Sequence, residues 1–286
     1  MLMARKSPAV RVCFIVFAVV IGVPAAANAH GDLHDQIEST SQRIKENPRD
    51  AGLYLRRGQL YSLHGEVEAA LADFAQASTL NPGLALVELC KGETFYQSGK
   101  YAEAKQCLDR FLEAEPDHAN GHAVRARTLV RLGNPMAASE DFTKAITGIA
   151  KPEFYIERAQ ALASDKVQNI EKAVAGLDEG IRRMGPIFTL QYHALELEIK
   201  GKHFDQALKR VDEILTNSMR KERWFAKRAE ILELAGRPEE ARADYARAWQ
   251  AFQRLPTGRK TEPAMIDLEA RLRKALRPQD RTPKGI

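Results

Sequence analysis

The sequence predicts an all-α solenoid of about six helix-turn-helix units with a capping helix at each end. Three observations predict it. Ala70, Ala104, Ala138, Ala173, Ala207 and Ala241 follow one another at steps of 34, 34, 35, 34 and 34. Four residues after each stands a larger apolar side chain: Phe74, Leu108, Phe142, Leu177, Val211 and Tyr245. Twelve to fourteen residues before each stands a small one: Gly58, Gly92, Ala126, Ala159, Ala194 and Ala229. With alanine at roughly one position in seven, six in register is a chance event of about one in several thousand once the register is free. An internal repeat of this period is the signature of a stacked architecture.

The chain opens on Arg5, Lys6 and Arg11, followed by a run of twelve apolar residues from Val12 to Val23, then Pro24 and Ala27-Asn28-Ala29. This is the three-part pattern of a secretory signal peptide, with cleavage expected after Ala29. Twelve helical residues rise about 18 Å, short of the hydrocarbon core of a bilayer. Residues 1–29 are therefore read as an export signal. The mature protein would be periplasmic or secreted, and membrane-held only if the segment stays attached. Residues 30–50 form a tail and a capping helix, Leu33–Glu46, with Leu33, Ile37 and Ile44 on one side and Asn47-Pro48 as its stop.

The repeat region, 51–255, divides at about 51–84, 85–118, 119–151, 152–186, 187–221 and 222–255. In each unit the alanine lies on the second helix. The residues four and seven further on share its face, the latter being Ala77, Phe111, Ala145, Gly180, Ile214 and Ala248. On the first helix the small residue is flanked at −4 and +3 by larger side chains, such as Tyr54 and Tyr61 or Leu190 and Leu197. Small residues on both helices let two backbones approach closely, and the larger ones fill the space above and below. Gly65, Gly99, Gly133, Gly201 and Gly236 are expected to end first helices in the left-handed conformation. In the fourth unit Ser164–Asn169 replaces the glycine and lengthens the loop. Leu255–Pro263 reads as a flexible link. Pro263–Leu276 is a C-terminal cap with Met265, Ile266, Leu268, Leu272, Ala275 and Leu276 on one side, and a basic tail follows.

A 34-residue helix-turn-helix with aromatic, Gly/Ala, aromatic, Gly, Ala, Phe and Pro at these spacings resembles the tetratricopeptide repeat (TPR) family. Residues 51–82 are the best match, and units four and five are degenerate. The resemblance implies a right-handed superhelix whose first helices line a concave groove that holds a protein or peptide partner. Carried onto this chain, the lining positions include Leu55, Gln59, Leu86, Leu89, Glu93, Tyr96, Arg127, Arg131, Ile156, Gln160, Glu198, Arg223 and Glu230. Relatives that clamp an acidic peptide terminus use lysines and asparagines where this chain has Leu55, Gln59, Leu89 and Glu93.

Charge and motifs exclude other classes. The formal net charge of +5 is an end effect, because Arg254–Ile286 holds nine basic and four acidic side chains. The region between the signal and that tail is slightly acidic, so nothing points to a nucleic-acid-binding face. No nucleophile elbow, phosphate loop, H-E-x-x-H or dinucleotide fingerprint occurs, and the chain reads as no enzyme and as carrying no cofactor. Cleavage after Ala29 would leave His30 as a free N-terminus, whose amine and imidazole, with His34, suit copper. Metal binding there is the alternative to the scaffold reading. His118 and His122 are also four apart, but His122 occupies the packing slot of Tyr54. Cys90 and Cys107 fall on the two helices of one unit, either as a disulfide or as two small buried hydrophobes.

Overall fold

The computed structural model describes residues 25–164 and 168–277, with side chains from Asp32 onward. Residues 1–24 of the predicted signal, the middle of the 164–169 loop and the tail from 278 lie outside the described residues. Every regular element among the described residues is helical, as the repeat spacing requires. The chain divides into two compact units between Leu80 and Asn81.

The first unit holds α1 (Ala25–Glu46), α2 (Ala51–His64) and α3 (Val67–Leu80). Helix α1 begins eight residues ahead of the expected start at Leu33, because Ala25-Ala26-Ala27-Asn28-Ala29 is a strong helix-forming run. Its Ile37 and Ile44 are buried as expected. Asp50 caps α2, its Oδ1 accepting from the backbone N–H of Gly52 at 2.8 Å. The close approach of α2 and α3 is visible at Gly58, where an added Cβ would stand 2.6 Å from Phe74 Cε1. Ala70, Phe74 and Ala77 are fully buried.

The second unit continues with α4 (Leu86–Gln97), α5 (Tyr101–Ala114), α6 (Ala119–Arg131), α7 (Pro135–Gly148), α8 (Pro152–Leu162) and α9 (Ile170–Met184). It then runs through α10 (Phe188–Lys200), α11 (Phe204–Asn217), α12 (Glu222–Leu234) and α13 (Pro238–Gln253), and closes with α14 (Thr257–Lys260) and α15 (Pro263–Ala275). Each helix packs on the next through α13, and α15 packs on α13. The alanine column is buried throughout, as are the residues four and seven further on. At Gly92 an added Cβ would stand 2.7 Å from Leu108 Cγ, so the interlock seen between α2 and α3 recurs. Overfilling such a contact costs about 1–3 kcal/mol.

Three expectations are corrected. Gly201 has φ −77°, and the left-handed residue of that turn is Lys202, at φ +60°. An added Cβ on Gly201 would meet Ile170 Cγ2 at 3.1 Å, so this glycine answers to space. The presumed link 255–263 contains the one-turn helix α14, tied back by Lys260 Nζ donating to the Gln253 carbonyl at 2.8 Å. On the cap, Met265, Leu268 and Leu272 are buried against Leu232, Tyr245 and Phe252, whereas Ile266 is 55% exposed. Ile266 follows Met265 directly, and a step of 100° carries it off the buried stripe.

A second code runs beside the apolar one. Arg57, Arg125 and Arg228 each precede the small residue of a first helix, and Asp73, Asp141 and Asp244 each precede the larger residue of the second. Arg57 Nε donates to Asp73 Oδ2 and Arg125 Nε to Asp141 Oδ2, both at 2.7 Å, whereas Arg228 reaches Asp244 through Nη1 and has its Nε beside Asp212. Asp73, Asp141 and Asp244 are all buried. Burial would raise the Asp141 carboxyl. The hydrogen bond and charge of Arg125, then those of His122, outweigh it and hold the group below the ordinary carboxylate range.

Candidate functional site

The second helices spend their periodic residues on packing, and so do the small positions of the first. The outward face of the first helices is left outside that packing. Between α4, α6 and α8 that face carries a connected cluster. Tyr96 on α4 is half-buried and lies 5.7 Å, ring to ring, from Tyr101 at the start of α5. The Arg131 guanidinium sits over the Tyr101 ring at 4.8 Å, a cation–π distance. Arg127, one turn earlier on α6, is clamped by Glu157 of α8 through two bonds of 2.8 and 3.0 Å. Its charge is spent in joining α6 to α8. Glu93, one turn before Tyr96, is half-buried, and desolvation raises its carboxyl. Ile156 is half-buried and Gln160 exposed, which extends the cluster along α8.

The remaining predicted positions divide. In the first unit Gln59 is half-buried on α2, while Leu55 is buried. Leu89 on α4 is also buried, packed with Leu108, Phe111 and Leu112. Leu55 and Leu89 therefore belong to the core and present no surface, which corrects the reading of both as lining residues. Leu86, three residues before Leu89, is exposed. Glu198 on α10 is buried as well, its two oxygens accepting from Arg210 at 2.9 and 2.6 Å. Glu230 on α12 is held by Arg271 of α15 at 2.5 Å.

The other candidates resolve into structural roles where they are described. His118 caps α6, its Nδ1 accepting from the Gly121 N–H at 3.0 Å. His122 is buried, with Nδ1 3.0 Å from Asp141 Oδ1 and Nε2 2.7 Å from the Pro116 carbonyl. No disulfide joins Cys90 to Cys107, both are buried, and burial followed by the charge of Glu88 pushes Cys107 up to about 11. That suppresses the thiolate through which a cysteine reacts. His34 is exposed on α1, and the side chain of His30 lies outside the described residues. Among the described residues no group of three or more His, Cys, Asp or Glu side chains is placed to hold a metal ion. No helix among them is long and apolar enough to cross a membrane.

Sequence reasoning missed one set of residues. Between α10, α12 and α15 lies a cleft of about 510 Å³ lined by Phe188, Tyr192, Trp224, Lys227 and Arg271, besides the predicted Arg223 and Glu230. The available signal was aromatic side chains standing on first helices outside the small-and-large register, at 188, 192 and 224.

Comparison with known proteins places this geometry. The tetratricopeptide repeat profile matches residues 62–128. Human tetratricopeptide repeat protein 6 is 24% identical over 168 residues, covering 57% of this chain and 32% of that protein. The chain spans between 26% and 38% of the length of the curated relatives it matches. Among solved structures, the C-terminal part of a TPR repeat-containing protein from Cytophaga hutchinsonii aligns with a TM-score of 0.63 at 13% identity. It covers 83% of this chain and 94% of that one. YrrB, described as a TPR protein with an unusual peptide-binding site, aligns with a TM-score of 0.52 at 22% identity, over 63% of this chain and 92% of its own. At these identities the likeness carries the fold alone.

Proposed function

We propose that this chain, which shares the fold of tetratricopeptide-repeat proteins, is a non-enzymatic scaffold or adaptor that holds a segment of a partner protein against its first helices. Repeat proteins of this kind engage protein partners through an extended surface. The observation that carries the reading is the cluster of Tyr96 on α4 and Arg131 on α6 with Tyr101 at the start of α5. These are aromatic and cationic groups on a face that the packing code leaves unspent. Aromatic and arginine side chains are the groups that dominate binding energy at protein interfaces. The exported setting rests on the sequence of residues 1–29.

The test is recovery of partner from an envelope fraction by the tagged chain and by a Tyr96→Ala, Arg131→Ala variant. Helical content and melting temperature serve as controls for folding. Loss of the specific partner with folding intact supports the reading, and undiminished recovery rejects this face as the site. Mass spectrometry of the mature protein checks export: a first residue of His30 is expected.

A further inference from the structure

The cleft between α10, α12 and α15 combines two features that the fold itself does not require. The first is aromatic surface left in water. Phe188 is 55% exposed and Tyr192 42% exposed. Their rings stand 6.1 Å apart, and Trp224 meets Phe188 edge-on at 5.9 Å, so the three form one continuous shelf. At the mouth, next in sequence to the lining residues Ser218 and Arg220, Met219 is 99% exposed.

The second feature is a cation left without an ion pair. Arg220, Arg223, Lys227 and Arg271 line the cleft with a single carboxylate, Glu230. Arg271 is given to Glu230, Lys227 to Glu196 at 3.0 Å and Arg220 to Glu222 at 2.9 Å. Arg223 is exposed and has no carboxylate within 4 Å among the described residues. It lies one helical turn before Lys227, so both cations stand on the same face of α12. A guanidinium beside an aromatic shelf matches a carboxylate beside an apolar side chain, since its planar fork takes both carboxylate oxygens.

We infer that this cleft receives an acidic segment of the partner protein, with an aromatic or large apolar side chain laid on Phe188 and Tyr192 and a neighbouring carboxylate paired with Arg223. The inference rests on the scaffold reading and adds the chemistry of the cargo. The segment's anchor is then on α10 and α12, and the cluster around Tyr96 engages a different stretch of the same partner.

The test is selection of a random dodecapeptide library on the full chain, followed by fluorescence anisotropy of the enriched peptides. The expected result is enrichment of peptides with two or more acidic residues around an aromatic one. Their affinity should fall about tenfold or more with Arg223→Glu, as a charge-assisted hydrogen bond implies. Arg223→Gln should cost less, and Tyr192→Ala should cost affinity without changing the preference for acid. Enrichment of neutral or basic peptides overturns the inference, and so does undiminished binding to both Arg223 variants. A dimer in sedimentation that Arg223→Glu abolishes gives the cleft to a second copy and also overturns it. If the selected peptides survive the Arg223 variants but are lost with Tyr96→Ala, Arg131→Ala, the scaffold reading stands and this inference falls. If no peptide is enriched, both fall.

Discussion

The α6–α7 and α10–α11 hairpins solve one packing problem with different polar hardware. Both bury the small residue of each helix, Ala126 and Ala138 in the one and Ala194 and Ala207 in the other. In α6–α7 the turn is made by Gly133 at φ +79°, and the ion pair runs from Arg125 on the first helix to Asp141 on the second. In α10–α11 the left-handed residue is Lys202, and the pair is reversed, with Arg210 on the second helix holding Glu198 on the first. The lesson is that the apolar register defines the hairpin, while the turn residue and the direction of the ion pair are replaceable parts. That is why the degenerate unit still folds into the same element.

The comparison breaks most readily at the buried charges. Removing one partner of a buried ion pair costs about 3–5 kcal/mol, because the other charge is left without compensation. Arg210→Ala strands Glu198 and is expected in that range by urea denaturation. Arg125→Ala is expected at its lower end, because His122 still faces Asp141. Equal losses would show that His122 contributes nothing to holding that charge. Next come the small positions. Ala126→Leu and Ala194→Leu should each cost about 1–3 kcal/mol, alike in both hairpins if the register is the shared part. A large cost in one hairpin alone would break the equivalence.

The turns give smaller effects of opposite sign. Gly133→Ala forces a Cβ into the left-handed region and should destabilise by about 1 kcal/mol, whereas Lys202→Gly should relieve strain and stabilise by up to about 1 kcal/mol. A destabilising Lys202→Gly would mean that the lysine side chain earns its place by a contact. The smallest effect is one of pH. The folded-state value of Asp141 lies below its unfolded one, so its contribution is complete above the ordinary carboxylate range and is lost as pH falls through the lowered value. The stability gap between the wild type and Asp141→Asn should therefore shrink between neutral pH and about pH 3.

The fold was legible because its determinants are local and periodic. Ala104, Leu108 and Phe111 declare a buried face by spacing alone, and the structure buries all three. Register does not fix how deep a lining position sits. Leu89 was read as groove and is core, because Leu108, Phe111 and Leu112 close over it from outside its own helix. The ion pairs were overlooked because an Arg and an Asp sixteen residues apart look like ordinary surface charges until two helices bring them together. The cleft at α10, α12 and α15 was half seen for a similar reason. Arg223 and Glu230 follow from the repeat, but Arg271 arrives from the cap and Phe188 from the first residue of its helix.

A photo-crosslinking amino acid placed at single sites tests the central claim most directly, that partners meet the first helices and the second helices serve packing. The incorporated sites would be Tyr96, Gln160 and Tyr192 on first helices and the exposed Glu103, Glu140 and Arg242 on second helices. Adducts of one partner protein from the first three sites and none from the other three are predicted. Adducts of that protein from Glu103, Glu140 or Arg242, with the first-helix sites silent, would contradict the account.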